Sequence, residues 1–454
     1  MRKTVTTLRI AVTALAVLHT GVAVSAESVS VSLDRANLVV RPEPLVIGVG
    51  VHFGIGGEYN YVAEKSAALI RDMGFGSYRD DLAWPAFDQA GARRGRPEPR
   101  QLFDFMKLRP ARPLLILGHG NPQVAEGDPP ITETGRRAFA DFSARAAAAA
   151  EPFDPIYEIW NEWNLTARFS LPFLVGPGKP DDPRAAAHYT ALIKAVVPAV
   201  AEAAPGAPLL VGAVGVDSGW QWTRAIVDGG ALAAPAGLSV HMYNHCEPDE
   251  TKRNATELVD RLESLQTALS QGQGGPVPIA VTEFGWPTAK QPCVIDAQTQ
   301  ADNIAQFLLW SAATPWMKGA WVYQLKDQGR DMNDLEANFG LFDYDYKPKP
   351  AACAVREVIR LVKDARAFHL SRPMPDVFVL AMEKDEGVTL AAWTTRADIR
   401  AQMSMPSGSV AKAQGLCTDR PLASDGRLDV GATPVLVELS KHADTHFSAD
   451  ISIR

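Results

Sequence analysis

Between residues 45 and 363 the chain alternates short apolar runs with longer amphipathic tracts, and it does so eight times. The runs cover 45–51, 76–80, 113–117, 156–160, 209–214, 238–242, 279–283 and 319–325. They are nearly continuous in Val, Ile, Leu and aromatic residues, the pattern of strands buried on both faces of a parallel sheet. The intervening tracts, among them 61–73, 135–150, 183–204, 255–270, 298–313 and 350–362, have a helical texture. Two of them end at Gly74 and at Pro205-Gly206, ordinary helix stops. With no internal repeat, eight such units predict an α/β chain folded as a (β/α)8 TIM barrel rather than a solenoid. A doubly wound open sheet is the competing arrangement, because a count of runs does not show closure. The connection after the second run is less regular: 93–99 is polar and turn-rich, and 102–108 is a short apolar tract.

Past residue 365 the long helical tracts stop. Segments 377–382, 388–394, 399–405 and 434–439 are short strand candidates separated by turn-prone residues, which predicts a small C-terminal antiparallel β domain over 365–454. The stretch 29–40 also has β character and is a candidate to pair with that domain. The barrel domain then spans 27–364, with an N-terminal β extension. Residues 1–26 read as an export signal: Arg2, Lys3 and Arg9 start it, Ile10 to Val24 is largely apolar, and Val24-Ser25-Ala26 offers small residues for cleavage. The expected location is periplasmic or extracellular, with an uncleaved inner-membrane anchor as the alternative and no membrane span in the mature chain. Apolar residues at 46% and charged ones at 21% suit a globular protein. A net charge of −7 without a basic stripe argues against nucleic acid and anionic membrane surfaces as partners. A monomer is expected.

In a barrel, chemistry sits at the C-terminal ends of strands and in the loops just after them. Those positions hold His52, then Arg79 and Trp84, then His119, then Asn161, Glu162 and Asn164. Further on come His241, Tyr243 and His245, then Glu283 and Trp286, then Tyr323, Lys326 and Asp327; only the fifth run ends blandly, at 212–216. Glu162 and Glu283 each close an apolar run, so each carboxylate emerges where a buried wall meets a cleft. Either glutamate alone is more often a capping or salt-bridging residue. Together, three strands apart, they supply what glycosidic cleavage needs: a proton donor and a nucleophile or base. Candidate substrate contacts are Arg79, Trp84, His119, Asn161, His241, Tyr243, Trp286 and Tyr323. The tryptophans, with Trp220 and Trp222 behind them, stack on sugar faces or pack in the core, and the two roles stand at even weight.

The Asn161-Glu162 pair and Thr282-Glu283-Phe284-Gly285-Trp286 resemble the strand-four and strand-seven motifs of clan A glycoside hydrolases, retaining (β/α)8 enzymes with a glutamate at each place. Arg79-Asp80-Asp81-Leu82-Ala83-Trp84 resembles the strand-two arginine segment of that clan, and His241-Met242-Tyr243 its strand-six pair. The overall plan over about 45–365 is most similar to family 39-type enzymes, in particular PslG-type bacterial endoglycosidases that cut a self-produced exopolysaccharide. The resemblance implies a hydrolase without cofactor that acts on an oligo- or polysaccharide. Glu162 would be its acid/base, Glu283 its nucleophile, and Asn161 a donor to the sugar 2-hydroxyl. Tyr243 and Arg79 would hold Glu283 ionised, while an apolar surround from Trp160 and Trp163 would keep Glu162 protonated.

Other readings use the same residues. An exo-acting β-glycosidase of β-xylosidase type, or a transglycosylase, would need the same two glutamates, and a carbohydrate-binding protein on a barrel scaffold would need neither. No metal is expected, since His241, His245 and Cys246 have no partner at a recognised ligand spacing. Gly48-Val49-Gly50 lacks dinucleotide-loop spacing, and no Gly-x-Ser-x-Gly elbow is present. The four cysteines contain no CxxC. Cys246 and Cys293 follow strands six and seven, adjacent in a barrel, so a disulfide joining those loops is expected; a second pair, Cys353 with Cys417, stays open.

Overall fold

The structure, a computed structural model, describes residues 28–453 apart from 56–58, 95–98, 126–128, 166–182, 234–235, 292, 419–425 and 442–445. The export signal expected over 1–26 lies outside the described residues. No helix among the described residues is long and apolar enough to cross a membrane.

The chain opens on β1 (Ser28–Asp34) and β2 (Val39–Val40). It then enters β3 (Val46–Gly50), β4 (Ser77–Ala83), β5 (Arg112–Gly118), β6 (Ile156–Ile159), β7 (Leu209–Val214), β8 (Ala236–Met242), β9 (Ile279–Phe284) and β10 (Met317–Val322). These eight strands are parallel and closed, in the order β10-β3-β4-β5-β6-β7-β8-β9. The pairing of β10 with β3, Gly319 opposite Val46 to Val322 opposite Val49, excludes the open sheet. Around them run α1 (Ala63–Met73), α2 (Trp84–Arg94), α3 (Arg100–Lys107), α4 (Pro122–Ala125), α5 (Glu133–Ala150), α6 (Pro183–Ala203), α7 (Gln221–Asp228), α8 (Ala255–Gln273), α9 (Ala297–Ala313) and α10 (Pro350–Lys363). The irregular connection after the second apolar run thus carries α2 and α3. Side-chain caps start α5, α8 and α9: Thr132 accepts from Gly135 N, Asn254 from Glu257 N, and Asp296 from Gln298 N and Thr299 N.

The rest of the chain forms β11 (Ala367–Met374), β12 (Val377–Lys384), β13 (Gly387–Thr394), β14 (Ala401–Ser404), β15 (Val410–Gly415), β16 (Arg427–Val430), β17 (Val435–Leu439) and β18 (His446–Ile453). Two antiparallel sheets result, β15-β17-β13-β12-β11-β2 and β1-β18-β14-β16. The N-terminal β1 and β2 therefore belong to this sandwich and not to the barrel. The six-stranded sheet is buried on both faces. Phe378, Leu380, Met382, Ala391 and Trp393 join the barrel's core, while the alternate residues Val377, Val379, Ala381, Leu390 and Ala392 form the core between the sheets. Gln306 of α9 adds polar contacts across this junction, donating to Thr394 O at 3.2 Å and Ala432 O at 2.7 Å.

Two disulfides brace this arrangement. Cys246 and Cys293, Cα atoms 5.2 Å apart, tie the loop after β8 to the loop after β9. Cys353 on α10 and Cys417 beyond β15 tie barrel to sandwich. Denatured, unreduced protein is expected to titrate no thiol, and reduced protein four; four thiols without reductant would refute both bonds. The Cys246→Ser/Cys293→Ser variant opens a loop with a sequence separation of 47. It is expected to lose about 2–4 kcal/mol of stability, read from the denaturant midpoint.

Candidate active site

β6 is apolar except for Glu158, and it ends by turning sharply. Trp160 and Glu162 take left-handed backbone conformations at φ 67° and 44°. Such geometry costs a non-glycine residue on the order of 1–3 kcal/mol and persists only where its surroundings hold it. Here Trp160 N donates to Leu117 O at 2.8 Å and Glu162 N to Ala213 O at 3.0 Å. Asn164 Oδ1 accepts from Gly215 N at 3.0 Å. The turn carries the Glu162 carboxylate over the mouth of the barrel, with 22% of the side chain exposed. Gly215 makes room for it: a Cβ there would clash with Leu165 and lie 2.9 Å from Glu162 Oε1.

Glu283, at the end of β9, faces Glu162 across the mouth and is 14% exposed. One oxygen of each carboxylate and a nitrogen of His241 all lie within 4.8 Å of one another. Arg79 of β4 is the hub beneath them. Its Nε donates to Glu158 Oε2 at 2.7 Å, one terminal nitrogen to Glu283 Oε1 at 2.5 Å, and the other to Asn161 Oδ1 at 2.8 Å. That second nitrogen also lies 3.3 Å from His241 Nε2. A guanidinium only donates, so Nε2 presents its lone pair and neutral His241 carries its proton on Nδ1, donating to Glu162 Oε1 at 2.9 Å. Tyr243 completes the set, its hydroxyl donating to Glu283 Oε2 at 2.7 Å.

These contacts set the charge state. Burial alone would raise the pKa of Glu283, but His241, Arg79 and the Tyr243 hydroxyl outweigh it and hold the carboxyl below its ordinary value. Burial works against charge on Arg79, yet Glu158, Glu283 and Asp81 keep the guanidinium firmly protonated. Burial also opposes an imidazolium at His241, and Glu283 and Glu162 override it, raising its pKa. Glu283 is thus held as a carboxylate, while Glu162 shares a hydrogen bond with a histidine whose pKa is raised. The Glu162–His241–Glu283 group has donor atoms close enough for a metal ion. Arg79, bonded to Glu283 and facing His241, already occupies the place of a countercharge there.

The Tyr243→Phe variant removes a donor to an anion, worth about 1.5–3 kcal/mol, or roughly one to two pKa units. Tyr243 helps lower the Glu283 pKa, so the acid limb of any activity that uses Glu283 as a carboxylate, read as kcat/KM, is expected to move to higher pH. An unmoved limb would show that Tyr243 does not tune Glu283.

Other expected contacts divide. Tyr323 lies at the mouth beside Tyr243 and accepts from Gln328 Nε2 at 3.2 Å. Its peptide bond to Gln324 is cis. His119 sits at the rim with its ring 2.8 Å from Asp81 Oδ1. The tryptophans are corrected. Trp84, 1% exposed, begins α2 and packs on Phe139 and Phe142 of α5. Trp286, fully buried, donates to Asn244 Oδ1, and Trp220 and Trp222 are buried as well. None of the four offers a face to a sugar. Trp160 and Trp163 also turn into the core, against Phe139 and Tyr189, while His241 and Gly215 lie beside the Glu162 carboxylate. Lys326 and Asp327 have partners of their own: Lys326 is caged by Tyr61, Tyr344 and Tyr346, and Asp327 pairs with Lys349. Sequence reasoning missed Glu158 and Gly215. The signal for Glu158 was present, since a lone charge in a strand buried on both faces requires a partner.

No family model and no curated protein sequence matches the chain. Solved structures match its fold. One is a family 39 glycoside hydrolase from the gut symbiont Bacteroides cellulosilyticus WH2, with a TM-score of 0.68 and 23% identity over 87% of this chain and 81% of that one. A family 39 β-xylosidase from Caulobacter crescentus matches at 0.56 and 15%, over 89% and 98%. A family 30 subfamily 8 xylanase from Clostridium acetobutylicum matches at 0.53 and 11%, over 90% and 97%. The fold neighbours are therefore clan A glycoside hydrolases, with family 39 among them.

Proposed function

We propose that the protein is a retaining glycoside hydrolase, with Glu283 as nucleophile and Glu162 as acid/base. The observation that carries this reading is the carboxylate pair itself, whose nearest oxygens lie within 4.8 Å across one open mouth. Retaining enzymes hold their carboxyl groups about 5–5.5 Å apart, whereas inverting ones leave about 6.5–9.5 Å for a water. In the first step a Glu283 oxygen bonds to the anomeric carbon as the glycosidic C–O bond breaks, and Glu162 gives its proton to the departing oxygen. His241 Nδ1–H then steadies the Glu162 carboxylate. In the second step Glu162 takes a proton from water, whose oxygen displaces Glu283 and regenerates both groups. Anomeric configuration in the first product, read by NMR before mutarotation, tests the reading: inversion would end it.

For substrate we favour internal cleavage of an exported bacterial polysaccharide, such as the producer's own exopolysaccharide. The basic, apolar and small-residue order of residues 1–26 supports export. Exo-acting removal of single sugars is the second reading, supported by the β-xylosidase among the fold neighbours. Product length over time on a panel of polysaccharides separates them: release of monosaccharide alone at early times would sink internal cleavage.

A further inference from the structure

Glu158 takes no part in the mechanism above, yet it is a charge sealed inside the barrel. Its side chain is 0% exposed, against an Arg79 side chain that is 6% exposed. Ile156, two residues earlier on the same face of β6, joins Leu114, Leu210, Ala280 and Trp321 in an apolar layer one step lower in the barrel. Glu158 Oε2 accepts from Arg79 Nε at 2.7 Å, and Oε1 has no hydrogen-bond partner among the described residues. We propose that Glu158 is a positioning residue that acts through Arg79: it is the fixed counter-charge of the guanidinium, and so lets Glu283 give up its own charge when it bonds to the sugar. The proposal rests on the glycosidase reading.

In the first step Glu283 changes from carboxylate to ester as it bonds to the anomeric carbon. The departing oxygen takes its proton from Glu162, which becomes the carboxylate. One negative charge therefore passes from Glu283 to Glu162. Arg79 is bonded to the first of these, through a terminal nitrogen 2.5 Å from Glu283 Oε1, and the Nδ1–H of His241 serves the second at 2.9 Å. Without Glu158, esterification would strand the guanidinium, whose remaining bond, 2.8 Å to Asn161 Oδ1, is to a neutral amide. Asp81 also lies near Arg79, but His119 Nε2 engages it at 2.8 Å. A buried cation that loses its counter-charge is strongly destabilising where the dielectric is low. With Glu158 in place, Arg79 stays neutralised before and after the step. Glu283 is then held as a carboxylate without being held too firmly to react.

Glu158→Gln keeps the shape and removes the charge, and Arg79 then turns its whole charge on Glu283. The Glu283 pKa falls, so the acid limb of kcat/KM is expected about one unit lower. The probe is whichever 4-nitrophenyl glycoside the wild-type protein cleaves among the β-xyloside, β-glucoside, β-mannoside and their disaccharide forms. Formation of the glycosyl-enzyme, read as kcat/KM above the acid limb, is expected to slow about tenfold, because the free carboxylate is now held more tightly than the partly bonded one. Its breakdown, read as reactivation of protein trapped with the matching 2-deoxy-2-fluoro glycosyl fluoride, is expected not to slow, since that step restores the charge Arg79 attracts. Glu158→Asp keeps the charge and is expected to keep the wild-type limb, whatever its rate. An unmoved limb in Glu158→Gln, or equal slowing of both steps, overturns the proposal and leaves the glycosidase standing. Cleavage of none of the glycosides overturns the glycosidase reading, and the proposal with it. Should Glu158→Gln fail to fold, Glu283→Gln carries the test, since it gives position 283 the neutral side chain that the ester has. With Glu158 still neutralising Arg79, its Tm is expected within about 5 °C of wild type, and a larger fall overturns the proposal.

Discussion

Glu283→Ala is expected to abolish turnover of every glycoside, including aryl glycosides with good leaving groups, by roughly 10⁴-fold or more. On the proposed mechanism it is the group that bonds to the anomeric carbon. Glu283 is the carboxylate that Arg79, His241 and Tyr243 converge on and hold ionised. Without it there is no glycosyl-enzyme, and a better leaving group gives no relief, since the missing event is bond formation and not departure. Added azide can act only from the side the carboxylate vacated, so any product it restores has inverted configuration. A glycosyl azide of retained configuration from this variant would exchange the roles of the two glutamates. Full activity would end the mechanism.

Glu162→Ala should behave differently, with a loss that depends on the leaving group. Positioned proton transfer contributes about 10²–10⁴-fold, and only where the departing oxygen needs a proton. A nitrophenolate leaves unaided, so the glycosyl-enzyme still forms on Glu283, and a burst of nitrophenol followed by slow hydrolysis is expected. An alkyl or sugar leaving group should show the full loss. Azide, small enough to enter the space that Glu162 leaves beside Gly215, should attack the trapped intermediate and give a product of retained configuration. Equal loss on activated and unactivated substrates would remove Glu162 from the role of acid.

The barrel was legible in sequence because its strands are buried on both faces, which writes them as unbroken apolar runs. The run ending at Glu283 matches β9, residue for residue, except for one added position, Phe284. The sandwich was less legible. β12 and β13 were found because the sheet holding them is itself packed on both sides. β11, β15 and β16, with Arg372, Lys412 and Arg427 among their residues, present too little apolar surface to stand out. Within the site, strand-end position identified Arg79, Asn161, His241, Tyr243 and the two glutamates, and structure gathers all six around one mouth. The same rule placed Trp84 and Trp286 there wrongly. Position along a strand does not report whether the next turn sends a side chain up to the cleft or outward beneath the helices. Gly215 could not have been found at all, since its part is the space it leaves empty.

The pairing of β1 with β18 has a consequence for how the chain is made. Asp34 ends opposite His446, so ribosomes must add some 412 residues after β1 before its partner exists. At about 5–20 residues per second that is roughly 20–80 s. For that time the barrel can close, while the four-stranded sheet lacks the strand that joins β1 to β14. The sequence of β1, Ser-Val-Ser-Val-Ser-Leu-Asp, suits a long wait: one face is hydroxyls and a carboxylate, and the other is only three aliphatic side chains. A nascent chain that stops short of β18 keeps that edge unpaired, and so carries a mark of its own incompleteness.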